Sequence, residues 1–160
     1  MENILHFNPY AAVIVTAMLP IVEVRGAIPV AIAVYGMHPL LAIVLSVAAS
    51  LVPVVILLLF LEKVTNWLRA LHPSLDHFFS WLFKRTHYRH TAKFERWGSL
   101  ALMLFVAIPL PFTGAWTGTL LAYLFGIKFH HAVLFIAAGS LIAAVIVAAV
   151  SLGGITVLSL

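Results

Sequence analysis

Apolar residues run through this chain in long blocks, and polar residues gather between them. Residues 3–22, 26–61, 99–127 and 129–160 contain no Asp, Glu, Lys or Arg, whereas a helix needs about 20 apolar residues to cross a bilayer. Two stretches, about 38 to 61 and 129 to 151, are predicted to be full crossings. Two others, 9–36 and 99–126, are interrupted by Pro20, Gly26 and Pro29 and by Pro109, Pro111, Gly114 and Gly118. Proline inside a helix removes a hydrogen bond and clashes with the preceding turn, and glycine weakens the helix further. Neither segment is expected to cross as one straight helix. Each is either a kinked span, which neighbouring helices tolerate, or a re-entrant hairpin whose tip backbone is buried in protein or faces a water-filled cavity.

The polar middle, 62–98, holds seven of the nine Lys and Arg residues. By the positive-inside rule it is cytoplasmic. Its apolar positions Val64, Leu68, Leu71, Leu75, Phe78, Phe79 and Leu82 recur at helical spacing, broken near His72 and Pro73. They predict two short amphipathic helices at the membrane surface, with Trp67 and Trp81 at head-group level. The net charge of +4 is concentrated here, beside the spans; topology accounts for it, and nucleic acid is not an expected partner. With 64% hydrophobic and 9% charged residues, a soluble core is excluded and the plasma membrane is the expected location. No basic leader or cleavage site marks a secretory signal, and the absence of cysteine removes disulfides, thiolate metal sites and thiol nucleophiles.

Shifting the chain by 90 positions sets residues 33–52 on 123–142, with Gly36 on Gly126 and Ser50-Leu51 on Ser140-Leu141. Each half has one plan: an interrupted segment, a glycine, then an apolar stretch. The expected organisation is a single all-α membrane domain, 1–160, made of a first repeat (1–61), a basic amphipathic connector (62–98) and a second repeat (99–160). If the interrupted segments are re-entrant, both termini lie outside, Lys128 joins the cytoplasmic cations, and the two repeats are inverted. That is the usual architecture of secondary transporters.

Within the first interruption, "VEVRG", Glu23 and Arg25 are the only ionised side chains. On a helix, residues two apart diverge by about 200°; in an extended stretch they point the same way. Pro20, Gly26 and Pro29 favour the extended form here, which would turn both charges into one pocket. A charge at mid-membrane costs about 2.5–3.5 kcal/mol on insertion scales, so something must offset it. One reading is an internal ion pair that pins the hairpin tip. Another is that Arg25 takes an anionic group by forked hydrogen bonds while Glu23 carries a proton, since burial disfavours an ionised carboxylate. The second interruption supplies the Thr113, Thr117 and Thr119 hydroxyls, the Trp116 indole and glycine-exposed N–H groups, but no countercharge. The eight histidines show no helical metal spacing beside a membrane carboxylate. With no activated nucleophile, phosphate loop or zinc signature, neither an enzyme nor a cofactor or metal is expected.

At "VEVRGAIP" and "PLPFTGAWTG" the chain resembles the small multidrug export proteins, over nearly its whole length. That family looks like a distant relative of the DedA and VTT membrane proteins, whose re-entrant hairpins in inverted repeat support transport or scrambling of lipids, polyprenyl phosphates among them. The resemblance implies that Glu23, Arg25, Gly26 and Pro29 form one motif, and Pro109, Pro111, Thr113, Gly114, Trp116 and Gly118 the other. Phe112 replaces an expected glycine, Ala49-Ser50 an expected Gly-Asn, and the second loop lacks the arginine of DedA proteins.

Three functional readings remain open from the sequence. The first is a proton-coupled secondary transporter or lipid flippase, moving an amphipathic substrate with an anionic (phosphate) head. The second is a multidrug exporter of lipophilic cations that uses Glu23. The third is a non-transporting scaffold. Two crossings of one copy can hardly enclose a cavity against lipid, so a homodimer is expected.

Overall fold

The computed structural model describes residues 8–71, 77, 80, 81, 92–110 and 113–158; six α-helices and one π-helical turn have defined bounds, residues 77, 80 and 81 are also helical, and none of the described residues is in a strand. Helix α1, Pro9–Met18, starts where the Asn8 side chain accepts the Tyr10 N–H at 3.0 Å and proline takes the first helical position. It stops at Leu19, which precedes Pro20 and is extended at φ −70°, ψ 137°. A residue before proline is pushed out of the helical region. After a turn, α2 covers Glu23–Pro29 and widens into the π-helical turn Val30–Val34. That turn ends with the Met37 N–H on the Ala31 carbonyl at 2.9 Å and Gly36 at φ 61°. Only glycine enters this left-handed region freely.

Helix α3 is Pro39–Leu71, α4 Ala92–Ala107, α5 Ala115–Leu124 and α6 Phe129–Leu158. Helix α4 ends one residue before the pre-proline Ile108, by the rule that ends α1. Two boundaries differ from expectation. Helix α3 does not end near 61 but runs to Leu71, so the first connector helix is its continuation; no proline or glycine lies between Pro53 and Pro73 to break it. Helix α4 likewise begins inside the basic connector and passes through 98 without interruption. Most of the second connector helix expected from the sequence lies outside the described residues.

Two helices are long and apolar enough to cross a membrane, Pro39–Trp67 and Phe129–Gly154, with mean hydropathies of 2.9 and 2.8. Only 28% and 33% of their most apolar windows is buried, whereas the core helix of a soluble protein would be mostly covered. Leu40, Val44, Leu134 and Val150 point outward, each more than half exposed. Lipid is the environment that such an outer surface fits. The chain is an all-helical membrane protein. Helices α1 and α5, ten residues each, span about 15 Å and cannot cross alone.

The core falls into two clusters. The first joins Val13, Ala17, Ile28 and Ala31 of the first half to Ala42 and Ala49 of α3 and to Ala143, Ala144 and Ala148 near the end of α6. The second joins Leu102, Val106 and Ala115 to Ala132 and Ile136 near the start of α6 and to Val54 further along α3. Each half therefore packs on the early part of its own long helix and on a later part of the other. Positions 90 apart also behave alike. Buried residues 42, 46, 49, 50, 53 and 54 of α3 have buried counterparts at 132, 136, 139, 140, 143 and 144 of α6. Gly126, at φ 65°, ends α5 as Gly36 ends the first segment.

Candidate functional site

The two helix breaks meet. Glu23 opens α2 with φ 45°, a left-handed conformation that costs a residue with a side chain about 1–2 kcal/mol. Its carboxylate is buried, with 3% of the residue exposed. Oε2 accepts from Arg25 Nη1 at 3.2 Å, and Oε1 accepts from the Trp116 N–H at 3.1 Å, with the Ala115 N–H beside it.

Those N–H groups belong to the first turn of α5, whose preceding residue is Gly114. A helix start has unsatisfied N–H donors and the positive end of its dipole. Glycine offers no side chain to accept from them, so Glu23 serves as the cap from 93 residues away. A β-carbon on Gly114 would strike the Glu23 carboxylate and the Arg25 guanidinium. The Thr117 hydroxyl secures the same turn, accepting the Gly114 N–H at 2.8 Å.

Arg25 reaches further across. Its Nη2 donates to the Ile108 carbonyl at 3.3 Å and to Thr113 Oγ1 at 3.2 Å, while the Thr113 hydroxyl lies 2.8 Å from the Ile108 carbonyl and 2.9 Å from that of Leu110. Nε is buried and has no partner, and the same holds for the indole nitrogen of Trp116.

The charges share a pocket as expected, for a different reason. Residues 23–29 are helical, not extended. Glu23 and Arg25 converge because the left-handed φ of Glu23 takes its side chain off the spiral of α2 and because the arginine is long enough to fold back.

Glu23, Arg25, Gly114, Trp116 and Thr117, with Pro20 and Ile21, line a cavity of about 90 Å³. A second cavity, about 320 Å³, is lined by Arg25, Pro29, Pro109 and Ile146, Val147, Val150 and Ser151 of α6. Arg25 is the one residue common to both. A larger cavity of about 480 Å³, between Trp97, Phe105 and Phe125, touches neither and has an apolar lining without chemistry.

Of the residues singled out from the sequence, Glu23, Arg25, Thr113, Trp116 and Thr117 are thus brought together, with Pro20, Pro29, Pro109 and Gly114 around them. Gly26 and Gly118 are packing positions: a β-carbon would meet Val22 at the first, and Val106 and Ile136 at the second. Pro111 lies outside the described residues. The Ile108 carbonyl and the Ala115 N–H were not anticipated, although orphan groups at a helix end before proline and a helix start after glycine are their natural source. The α6 lining had no signal in the sequence.

Residues 23–146 match the family described as "Putative small multi-drug export protein". The chain belongs to that family. The matched span begins on Glu23 and contains the α5 start that it caps, so the charged pair and its hydrogen-bond partners fall within it. A family of export proteins is a transport class and not an enzyme class. No curated protein and no solved structure matches the chain.

Proposed function

We propose that this protein is a small proton-coupled secondary transporter or lipid flippase, moving an amphipathic substrate whose anionic head, such as a lipid phosphate, is held by Arg25. One observation carries this: the two buried side-chain atoms beside the charged pair that have no hydrogen bond are both donors. The Glu23 oxygens are engaged and buried, while Arg25 Nε and Trp116 Nε1 keep protons without acceptors. An acceptor-rich head group meets that need, and a cation does not. The cavity beside the pair, about 90 Å³, suits a head group, and the second cavity at Arg25, about 320 Å³, leaves room for part of an attached chain.

In this reading the halves are inverted repeats, each a re-entrant hairpin followed by a crossing helix, with the basic connector cytoplasmic and the protein in the plasma membrane as a homodimer. The paired burial at positions 90 apart supports the repeat, and the reversed order in which α3 and α6 share the two cores supports the inversion.

The test is binding of a polyprenyl phosphate and, separately, of a lipophilic cation to the purified protein, in wild type, Glu23→Gln and Arg25→Ala. Phosphate binding that disappears in Arg25→Ala is the expected result. Cation binding that depends on Glu23 would instead fit the drug export that the family description names.

A further inference from the structure

We infer that Glu23 is a built-in stand-in for the substrate's anionic head, so that binding the head and protonating Glu23 are one event, with one proton taken up per anion bound. The inference rests on the reading of Arg25 as the head-group site. The Arg25 guanidinium and the Ala115 and Trp116 N–H groups form an anion receptor, and the carboxylate now filling it belongs to the chain itself. The receptor has more donors than this one carboxylate uses, because Arg25 Nε and the Trp116 indole nitrogen remain unpaired. A sulfonate or phosphate head, with three outward oxygens, can use them.

Two anions cannot share the receptor, because a like charge at contact distance disfavours the ionised form of one of them. The carboxylate is the one able to give up its charge here. A proton from solvent adds to a Glu23 oxygen, the neutral acid releases Arg25 and the α5 start, and the incoming anion takes the vacated donors. Arg25 is paired with one anion before and after, so the net charge of the buried site is unchanged by the exchange. Among the described residues, Arg25 is the only other ionised group lining the cavity at Glu23, and the stretches of α1, α3, α5 and α6 around the pair contain no Asp, Glu, Lys or Arg. The titratable Tyr10, Tyr35, Tyr123, His38, His130 and His131 line neither cavity at Arg25. The position of Arg25 between two cavities gives the displaced head somewhere to go next.

The experiment uses the full chain in non-ionic micelles and titrates it with an alkyl sulfonate, whose head does not titrate between about pH 5 and 9, and with the alkyltrimethylammonium of equal chain length. Calorimetry in two buffers of different protonation enthalpy counts the protons. Wild type is expected to take up about one proton per sulfonate, with affinity rising up to tenfold for each unit of pH lowered. Glu23→Gln is expected to bind sulfonate without proton uptake, at a pH-independent affinity at least equal to the best of wild type.

Sulfonate binding by wild type with no proton uptake, or weaker binding by a folded Glu23→Gln than by wild type at low pH, overturns the stand-in while leaving the head-group site in place. Equal binding by Glu23→Gln and Glu23→Gln/Arg25→Ala, or preference of wild type for the ammonium, overturns the head-group site itself. The proton count on wild type decides the question even if a variant fails to fold.

Discussion

Replacing Gly114 by alanine adds one methyl group at the most constrained point of the site. Gly114 has φ −160° and ψ −170°, extended values open to any residue, so the backbone does not resist the change. The obstacle is contact: the new β-carbon would lie 2.8 Å from Glu23 Cδ and 2.9 Å from Arg25 Nη1, and closer still to a carboxylate oxygen. The carboxylate must shift. Losing one charge-assisted hydrogen bond costs about 1.5–3 kcal/mol, and full separation from Arg25 approaches the roughly 3–5 kcal/mol of a broken buried pair. Gly114→Ala is therefore expected to destabilise by about 2–4 kcal/mol, measured by unfolding in mixed micelles with rising dodecyl sulfate. The same substitution in a Glu23→Ala/Arg25→Ala background, where both obstructing side chains are gone, should cost less than about 1 kcal/mol, a coupling of the size expected for groups in direct contact. Equal losses in the two backgrounds would refute the claim that Gly114 is glycine to admit the carboxylate.

Further outcomes follow from the same geometry. Arg25→Ala alone leaves a buried carboxylate without its countercharge and should lose about 3–5 kcal/mol. Glu23→Gln/Arg25→Gln, which keeps shape without charge, should unfold later than Arg25→Ala yet move no substrate in a reconstituted flux assay; full activity of the neutral pair would favour a scaffold. Gly36→Ala and Gly126→Ala, at φ 61° and 65°, should each cost about 1–2 kcal/mol in the same unfolding measurement. The chain has no native cysteine, so cysteines at His38 and Lys128 can be labelled without background. The inverted-hairpin arrangement expects His38→Cys to react from outside and Lys128→Cys from the cytoplasm, and external reactivity of both would indicate four spans.

What could be read from the sequence was what steric rules dictate locally. Pro20 and Pro109 force the breaks, and Leu19 and Ile108 are where the helices give way. The 90-residue shift pairs Gly36 with Gly126, and both are left-handed. The convergence of Glu23 and Arg25 was foreseen from an extended strand that does not exist; a left-handed glutamate at a helix start achieves it, and no single-sequence pattern marks that conformation in a non-glycine residue. The onset of charge at Glu62 marks the edge of the apolar block but not the end of α3, which runs to Leu71 because no proline or glycine breaks it before Pro73. The part played by α6 was hidden because an apolar stripe carries no mark of the cavity that it will line.

The division of labour between the halves explains why one charged pair suffices. Ninety residues after Glu23 stands Thr113, and ninety after Arg25 stands Ala115. The second half of the chain thus contributes no charge here, only a hydroxyl and helix-start N–H groups, and these are what the pair in the first half binds. Two identical copies would have brought four charges into the bilayer, at about 2.5–3.5 kcal/mol each on insertion scales, and would have left each carboxylate beside a second one. With donors on one side and a single ion pair on the other, the receptor is complete only where the halves touch. In the proposed transport cycle any movement of one half against the other opens or remakes it, so that binding and conformational change would meet at the same few atoms.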